Sequence, residues 1–122
     1  MAIHESGENY LETVLLLGRD GKDVHSVDVA RKMGVSKPTV TKAMKILVQG
    51  GYVTMEGVHL HLTEKGEDYA RAVYEKHTVI TEFWEIMGVP HEIAERDACR
   101  MEHIVSEEVF AVMKKKVREN EK

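Results

Sequence analysis

A thiol, a carboxylate and an imidazole follow one another closely at Cys99, Glu102 and His103. On a helix, at about 100° per residue, the three project within roughly a quarter of the circumference. Ile93, Ala94, Ala98, Met101 and Val105 continue around the same side, so the triplet lies beside an apolar stripe. A thiolate, a carboxylate and a neutral imidazole each offer a lone pair to a divalent cation. Together they suit a transition metal of intermediate softness better than calcium or magnesium. The same residues also read as a half-exposed helix face, with Glu102 solvated, Cys99 a small hydrophobe and His103 at a helix end. A nucleophile and base pair at Cys99 and His103 would need further machinery. No Gly-rich phosphate loop, nucleophile elbow or paired-carboxylate motif accompanies it, so an enzyme is not expected.

The chain that must position these groups has 122 residues, 43% of them hydrophobic. That is enough for one modest core, or for two small lobes of the kind that complete their cores by dimerising. The formal charge of -4 argues against indiscriminate nucleic-acid binding, but it conceals an asymmetry. Arg31, Lys32, Lys37, Lys42 and Lys45 fall in a stretch that contains no acid. No apolar run approaches the roughly 20 residues of a membrane span, and the N-terminus lacks the pattern of a signal peptide, so no membrane partner and a cytoplasmic location are expected. A single cysteine makes no internal disulfide and is expected as a reduced thiol. There is no internal repeat or low-complexity tract, and Lys114–Lys122 is expected to fray.

Helical intervals among Tyr10, Leu11, Val14, Leu15 and Leu17 predict a first amphipathic helix from about Glu5 to Leu17, with Gly18 and Gly21 ending it. Glu8, Asn9 and Glu12 occupy neighbouring faces of it. Ser26 is expected as the N-cap of a short helix through Met33, Gly34-Val35 as a tight turn, and Ser36 as the N-cap of a second helix with Pro38 in its first turn. Gly50-Gly51 ends that segment. Period-two alternation from Tyr52 to Leu62, interrupted at Glu56-Gly57, predicts a hairpin. Two helices and a hairpin make a winged helix-turn-helix. On the second strand Val58, Leu60 and Leu62 should face inward and leave His59 and His61 solvated or near phosphates.

The second of the two helices would read DNA. Ser36, Lys37, Thr39, Thr41 and Lys42 are its expected contacts, the lysines to phosphate and the hydroxyls to phosphate or base edges. Lys45 reads as a solvated charge, Arg31 and Lys32 equally as surface charge or as contacts, and Pro38, Val40 and Met44 as shaping or packing residues.

From Thr63 a long helix to about Met87 is expected, with Tyr69, Val73, Ile80, Phe83, Trp84 and Met87 as its buried stripe. His77 falls on that stripe, where burial disfavours its charge and calls for a hydrogen-bond or metal partner. Gly88 ends the helix and Pro90 begins the next, which carries the triplet; Ser106 caps a last helix bearing Val109, Phe110, Met113 and Val117 on one side. The segment after the wing is thus all helical and rich in methionine and aromatic residues, as a two-fold homodimer surface would be. The fold expected is mostly α with a small β-hairpin wing: a DNA-binding domain over 1–62, then a helical metal-binding and dimerisation domain over 63–122.

Glu8-Asn9-Tyr10-Leu11-Glu12, Val35-Ser36-Lys37-Pro38-Thr39-Val40-Thr41, Leu62-Thr63-Glu64-Lys65-Gly66, His77 and the segment Asp97 to Ser106 occur in that order. In these motifs, over nearly its whole length, the chain resembles the diphtheria-toxin-repressor family of metal-dependent transcriptional regulators. The resemblance implies a divalent metal joining the first helix to the two helices after the wing, with ligands at Asn9, Glu12, His77, Cys99, Glu102 and His103. Manganese-responsive members are similar at Glu12, His77, Glu102 and His103 but carry carboxylates in place of Asn9 and Cys99. Iron-responsive members share the cysteine and have methionine in place of Asn9. The Cys99 thiolate favours Fe²⁺, with Mn²⁺ next. The ancillary site of the iron branch is not expected, since Thr81 and Glu95 replace its carboxylate and histidine. With the sequence ending at Lys122, the SH3-like domain of larger members is not expected, and the architecture expected is similar to that of the manganese-type regulators.

The mechanism this implies is a corepressor: bound Fe²⁺ or Mn²⁺ sets the spacing of two recognition helices over half-sites of double-stranded operator DNA about 34 Å, or a multiple of that, apart. A coupling of about 1 to 3 kcal/mol suffices to change operator affinity 5 to 150-fold. Two alternatives stay open: a winged-helix regulator not gated by metal, and a redox-sensing repressor using a Cys99 thiolate favoured by His103.

Overall fold

In a computed structural model, which describes residues 5–121, the chain divides into two compact units, Met1–Arg71 and Ala72–Lys122. The first contains α1 (Glu5–Leu17), β1 (Val24–His25), α2 (Ser26–Met33), α3 (Lys37–Gln49), β2 (Val53–Glu56) and β3 (His59–Leu62). The helix α4 (Glu64–Ile86) begins there and continues into the second unit, which adds α5 (His91–Met101) and α6 (Glu107–Asn120). The described residues are thus mostly helical, with a small antiparallel sheet of strand order β1-β3-β2.

In the first unit α1 buries Tyr10, Leu11 and Val14 against Val29 and Ala30 of α2, Val40, Met44 and Leu47 of α3, and Val53 and Leu60 of the wing. The helix-turn-helix follows from local chemistry. Gly34 adopts φ 68°, a left-handed conformation that costs glycine little, and its N–H donates to Ala30 O. Ser36 Oγ then accepts from the Thr39 N–H at 3.3 Å and caps α3, with Pro38 in the first turn. Ser26 differs from its expected role. It is the first residue of α2, and His25 takes the cap position because its N–H donates to Asp28 Oδ2 at 2.9 Å.

The hairpin turn lies one residue later than the alternation suggests. Glu56 pairs with His59, which leaves Gly57 (φ 62°) and Val58 as the two-residue turn. Val58 is therefore 57% exposed at the tip instead of facing inward, while Leu60 is buried. The third strand, β1, was not legible as a strand; it places Val24 opposite Leu60 and His25 opposite His59.

A corner joins the wing to α4. The Thr63 N–H donates to Tyr52 O at 3.0 Å, Thr63 Oγ1 donates to Gly51 O at 2.7 Å, and the same hydroxyl accepts from the Gly66 N–H at 3.0 Å. A Cβ at Gly66 would collide with the Tyr52 carbonyl oxygen. Lys65 lies over the Tyr52 ring, 4.4 Å from its centre, and donates to Gly50 O at 3.0 Å. The Thr63-Glu64-Lys65-Gly66 motif is this corner.

In the second unit Ile80, Ala98, Phe110 and Met113 form a core, with Val79, Phe83, Trp84, Met101 and Val105 packed on it. Lys76 pairs with Glu107 at 3.0 Å and Lys114 with Glu75 at 2.6 Å, tying α4 to α6. Gly88, at φ 101°, lets the chain leave α4, and Ser106 Oγ caps α6 by accepting from the Val109 N–H at 3.1 Å. Met87 was expected in the buried stripe of α4 but is exposed, as are Ile93, Ile104, Val109 and Val112. The expected fraying from Lys114 is also corrected, because α6 stays helical to Asn120; Lys122 lies outside the described residues.

Candidate metal centre

Within the second unit, α4 supplies His77 and α5 supplies Cys99, with Glu102 at the C-cap of α5. The helix ends at Met101, two residues earlier than the triplet reading, which runs to His103, requires. Glu102 nevertheless keeps a helical backbone (φ -58°, ψ -23°), so its side chain stays on the same arc as Cys99. His77 Nδ1 lies 3.3 Å from Glu102 Oε2 and 3.8 Å from Cys99 Sγ. One donor atom from each of the three falls within 4.8 Å of the others. His103 Nε2 lies 3.4 Å from the other oxygen, Glu102 Oε1, and its side chain is buried.

The chemistry of this group is decided by Glu102, which is 2% exposed. Neither of its buried carboxylate oxygens accepts a hydrogen bond among the described residues. A buried carboxylate without a donor is costly unless a cation or a protonated partner compensates it. Two imidazoles at 3.3 and 3.4 Å and a thiol beside one of them are donors that a divalent transition metal organises. The residues present fit such an ion.

The His77 ring stacks on Tyr74, centroids 6.2 Å apart at 11°, which fixes its plane. Thr81, buried, donates its hydroxyl to His77 O at 2.8 Å. Glu95, exposed, stands 3.4 Å from His91 Nε2. The two residues that replace ancillary ligands of the iron branch are thus engaged in helix contacts of their own. Cys99 is solvent-exposed.

Asn9 and Glu12 belong to α1 in the first unit. Both are half-buried; Asn9 O accepts from Thr13 Oγ1 at 2.8 Å, and Glu12 Oε2 is shielded from solvent. Glu8, next to them, accepts a 2.7 Å hydrogen bond from Tyr69 Oη of α4. Burial, with the Glu8 carboxylate beside it, pushes the Tyr69 hydroxyl well above its ordinary range. That link went unread in the sequence, where Tyr69 counted only as a core residue.

On α3, Ser36, Lys37, Thr39 and Lys42 are exposed and Thr41 is half-buried. Ser36 Oγ and Thr39 Oγ1 share a 2.7 Å hydrogen bond, and Thr41 Oγ1 donates to Lys37 O at 3.1 Å. Both lysines are exposed surface charges, and Lys37 lies in the first turn of the helix, where the backbone dipole also favours an anion.

The family model described as "Iron dependent repressor, N-terminal DNA binding domain" matches residues 2–59, and that described as "Iron dependent repressor, metal binding and dimerisation domain" matches residues 63–122. The chain is 41% identical over 106 residues to the transcriptional regulator MntR of Escherichia coli, covering 84% of this chain and 67% of MntR. It is 34% identical over 107 residues to the iron-dependent repressor IdeR of Mycobacterium tuberculosis, covering 86% of this chain and 46% of IdeR. The solved structure of the manganese regulator SloR superposes with a TM-score of 0.79 at 26% identity, covering 97% of this chain and 55% of SloR. The chain therefore spans about two thirds of MntR and about half of IdeR and SloR.

Proposed function

The chain belongs to the diphtheria-toxin-repressor family of iron-dependent repressors, and on that premise we propose that it is a cytoplasmic, metal-dependent repressor that binds operator DNA as a homodimer. The relatives are transcriptional regulators rather than enzymes. Residues 1–62 are assigned the DNA-binding role and 63–122 the metal-binding and dimerisation role. No helix of the described residues is long and apolar enough to cross a membrane.

The observation that carries this reading is the Glu102 carboxylate, buried without a hydrogen bond between His77 and His103 and beside Cys99. A divalent ion there supplies the positive charge that the carboxylate otherwise lacks. Glu102 holds the centre of the ligand set, the stacked His77 presents Nδ1 in a fixed plane, and Cys99 contributes the softest donor. Asn9, Glu12 and His103 are proposed as further ligands on the family resemblance. The Cys99 thiolate supports Fe²⁺ as the preferred ion, with Mn²⁺ next. The iron- and manganese-named relatives leave both choices within the family.

Ser36, Lys37, Thr39, Thr41 and Lys42 are proposed as the DNA contacts. The Ser36 and Thr39 hydroxyls already cap α3, so their part is to hold its N-terminus at a phosphate, while Lys37 and Lys42 neutralise the backbone. Exposed Ile104, Val109 and Val112 support a second copy covering the helical unit.

The test is fluorescence anisotropy of a labelled upstream DNA fragment of the gene, without oxygen, comparing chelated protein with protein given Fe²⁺ or Mn²⁺. Binding that requires metal, and is lost in Glu102→Ala, is the expected result. Equal binding with and without metal refutes the corepressor reading; because the Cys99 thiol is exposed beside His77, peroxide sensitivity of the metal-free protein would then assign the site to redox sensing.

A further inference from the structure

A second cluster of ligand-type side chains lies in the first unit, on the wing. Asp23 Oδ2 is 2.9 Å from His25 Nε2 and 2.9 Å from His59 Nδ1. The His25 and His59 rings meet edge to face with centroids 4.5 Å apart. The arrangement follows from the short strand β1, whose antiparallel pairing sets His25 directly opposite His59 and leaves Asp23 at the end of the strand. Directly opposed side chains in an antiparallel pair share one face of the sheet. All three side chains are between one third and a little over one half exposed.

We propose that Asp23, His25 and His59 form a second divalent-metal site, one that takes a borderline cation such as Zn²⁺ through two imidazoles and one carboxylate. Two nitrogens and one oxygen are the donor set of many three-ligand zinc sites, and the open side leaves a coordination position for water. Calcium and magnesium are disfavoured because two of the three donors are imidazoles. At Zn–N and Zn–O lengths of about 2.0 to 2.2 Å, tetrahedral donors stand about 3.3 to 3.5 Å apart. The present 2.9 Å separations need open by only a few tenths of an ångström, within the reach of small side-chain rotations. His61 takes no part. It pairs with Thr54 in the ladder and is exposed.

The site ties the start of β3 to the residue that caps α2, so an ion there clips the wing to the helix-turn-helix. It uses neither Cys99 nor Glu102, and it stands or falls separately from the corepressor centre. His59, expected to be solvated or near phosphates, is instead the far half of this clip.

The experiment is Zn²⁺ binding by equilibrium dialysis with metal analysis, on the full chain carrying Glu102→Ala, so that the centre in the helical unit is disabled. This protein is expected to retain one Zn²⁺ per chain, and the added change His59→Gln to abolish it. Asp23→Asn, which keeps both rings, should weaken binding on the order of tenfold or more. Zn²⁺ added to Glu102→Ala should also shift the NMR signals of both the His25 and His59 rings. Absence of bound Zn²⁺ in Glu102→Ala, or Zn²⁺ that persists undiminished in both further variants, overturns the proposal. Equal melting temperatures of the variants in chelator establish that each is folded.

Discussion

Glu102 Oε2 and His77 Nδ1 stand 3.3 Å apart where the carboxylate has lost its water without gaining a hydrogen-bond donor. The apo protein therefore carries an electrostatic debt at this point that a cation relieves. In wild type, metal at a hundred times its Kd should add about 2.7 kcal/mol of stability. Glu102→Gln keeps the shape and removes the charge; most of the shift of its urea midpoint with Fe²⁺ or Mn²⁺ should be lost. A shift as large as that of wild type would remove Glu102 from the ligand set.

As a proposed ligand, Cys99 would set the softness of the donor set. Cys99→Asp should shift the Mn²⁺ to Fe²⁺ affinity ratio toward manganese by about tenfold, ~1.4 kcal/mol, because an oxygen replaces the only sulfur. Competition titrations of both ions without oxygen measure that ratio. An unchanged ratio would mean that the thiol, exposed as it is, does not ligate.

Tyr69 Oη donates to a charged carboxylate, Glu8, at 2.7 Å. Hydrogen bonds to charged groups contribute about 1.5 to 3 kcal/mol when shielded from solvent, so Tyr69→Phe should cost somewhat less than that here, about 1 to 2 kcal/mol. Chemical denaturation in chelator measures it apart from metal linkage.

His91 joins the beginning of α5 to the end of α4: its Nδ1 lies 3.1 Å from Glu85 Oε1. The Glu85 carboxylate raises the imidazole above its ordinary 6.5. A group whose pKa is higher folded than unfolded contributes its stability below the unfolded value and loses it as pH rises through the folded one. Stability from this pair is thus present in mild acid and lost above neutrality. His91→Gln should flatten that part of the profile, measured as urea midpoints from about pH 6 to about pH 8.

Lys37 and Lys42 are exposed on α3 with no acid between them. Each is expected to neutralise one phosphate, so Lys37→Ala and Lys42→Ala should each lower the slope of log K against log salt by about 0.9. Anisotropy titrations at several salt concentrations read this directly. An unchanged slope would mark the lysine as a bystander.

Much of this was legible in the residues because the signals were local. Ser36, Pro38 and Gly34 each impose a backbone geometry by themselves, and α1 and α3 follow from apolar spacing. The convergence of Cys99 and Glu102 was likewise a matter of one helix turn. What could not be read depends on partners far along the chain. Val24–His25 is too short to announce a strand and becomes one only because β3 pairs with it. Tyr69 looks like any core aromatic until Glu8 is found at its hydroxyl. Met87, Ile93 and Val109 satisfy helical periodicity, yet periodicity does not say whether an apolar face meets this chain or another.

The corner at Tyr52 orders how the wing opens. Its N–H is held by Leu47 O at 3.0 Å and its carbonyl by the Thr63 N–H, with Gly66 pressed against that same carbonyl. The base of the hairpin is therefore clamped by α3 on one side and α4 on the other, while at the tip, Gly57 and Val58, Val58 O accepts from the Ser26 N–H and, at 3.5 Å, from its hydroxyl. Amide hydrogens near the tip should exchange through shallow, local fluctuations, and those of Tyr52 and Thr63 only when the whole unit unfolds. The wing is graded in rigidity along its length, pliant at its tip and fixed where it joins α3 and α4.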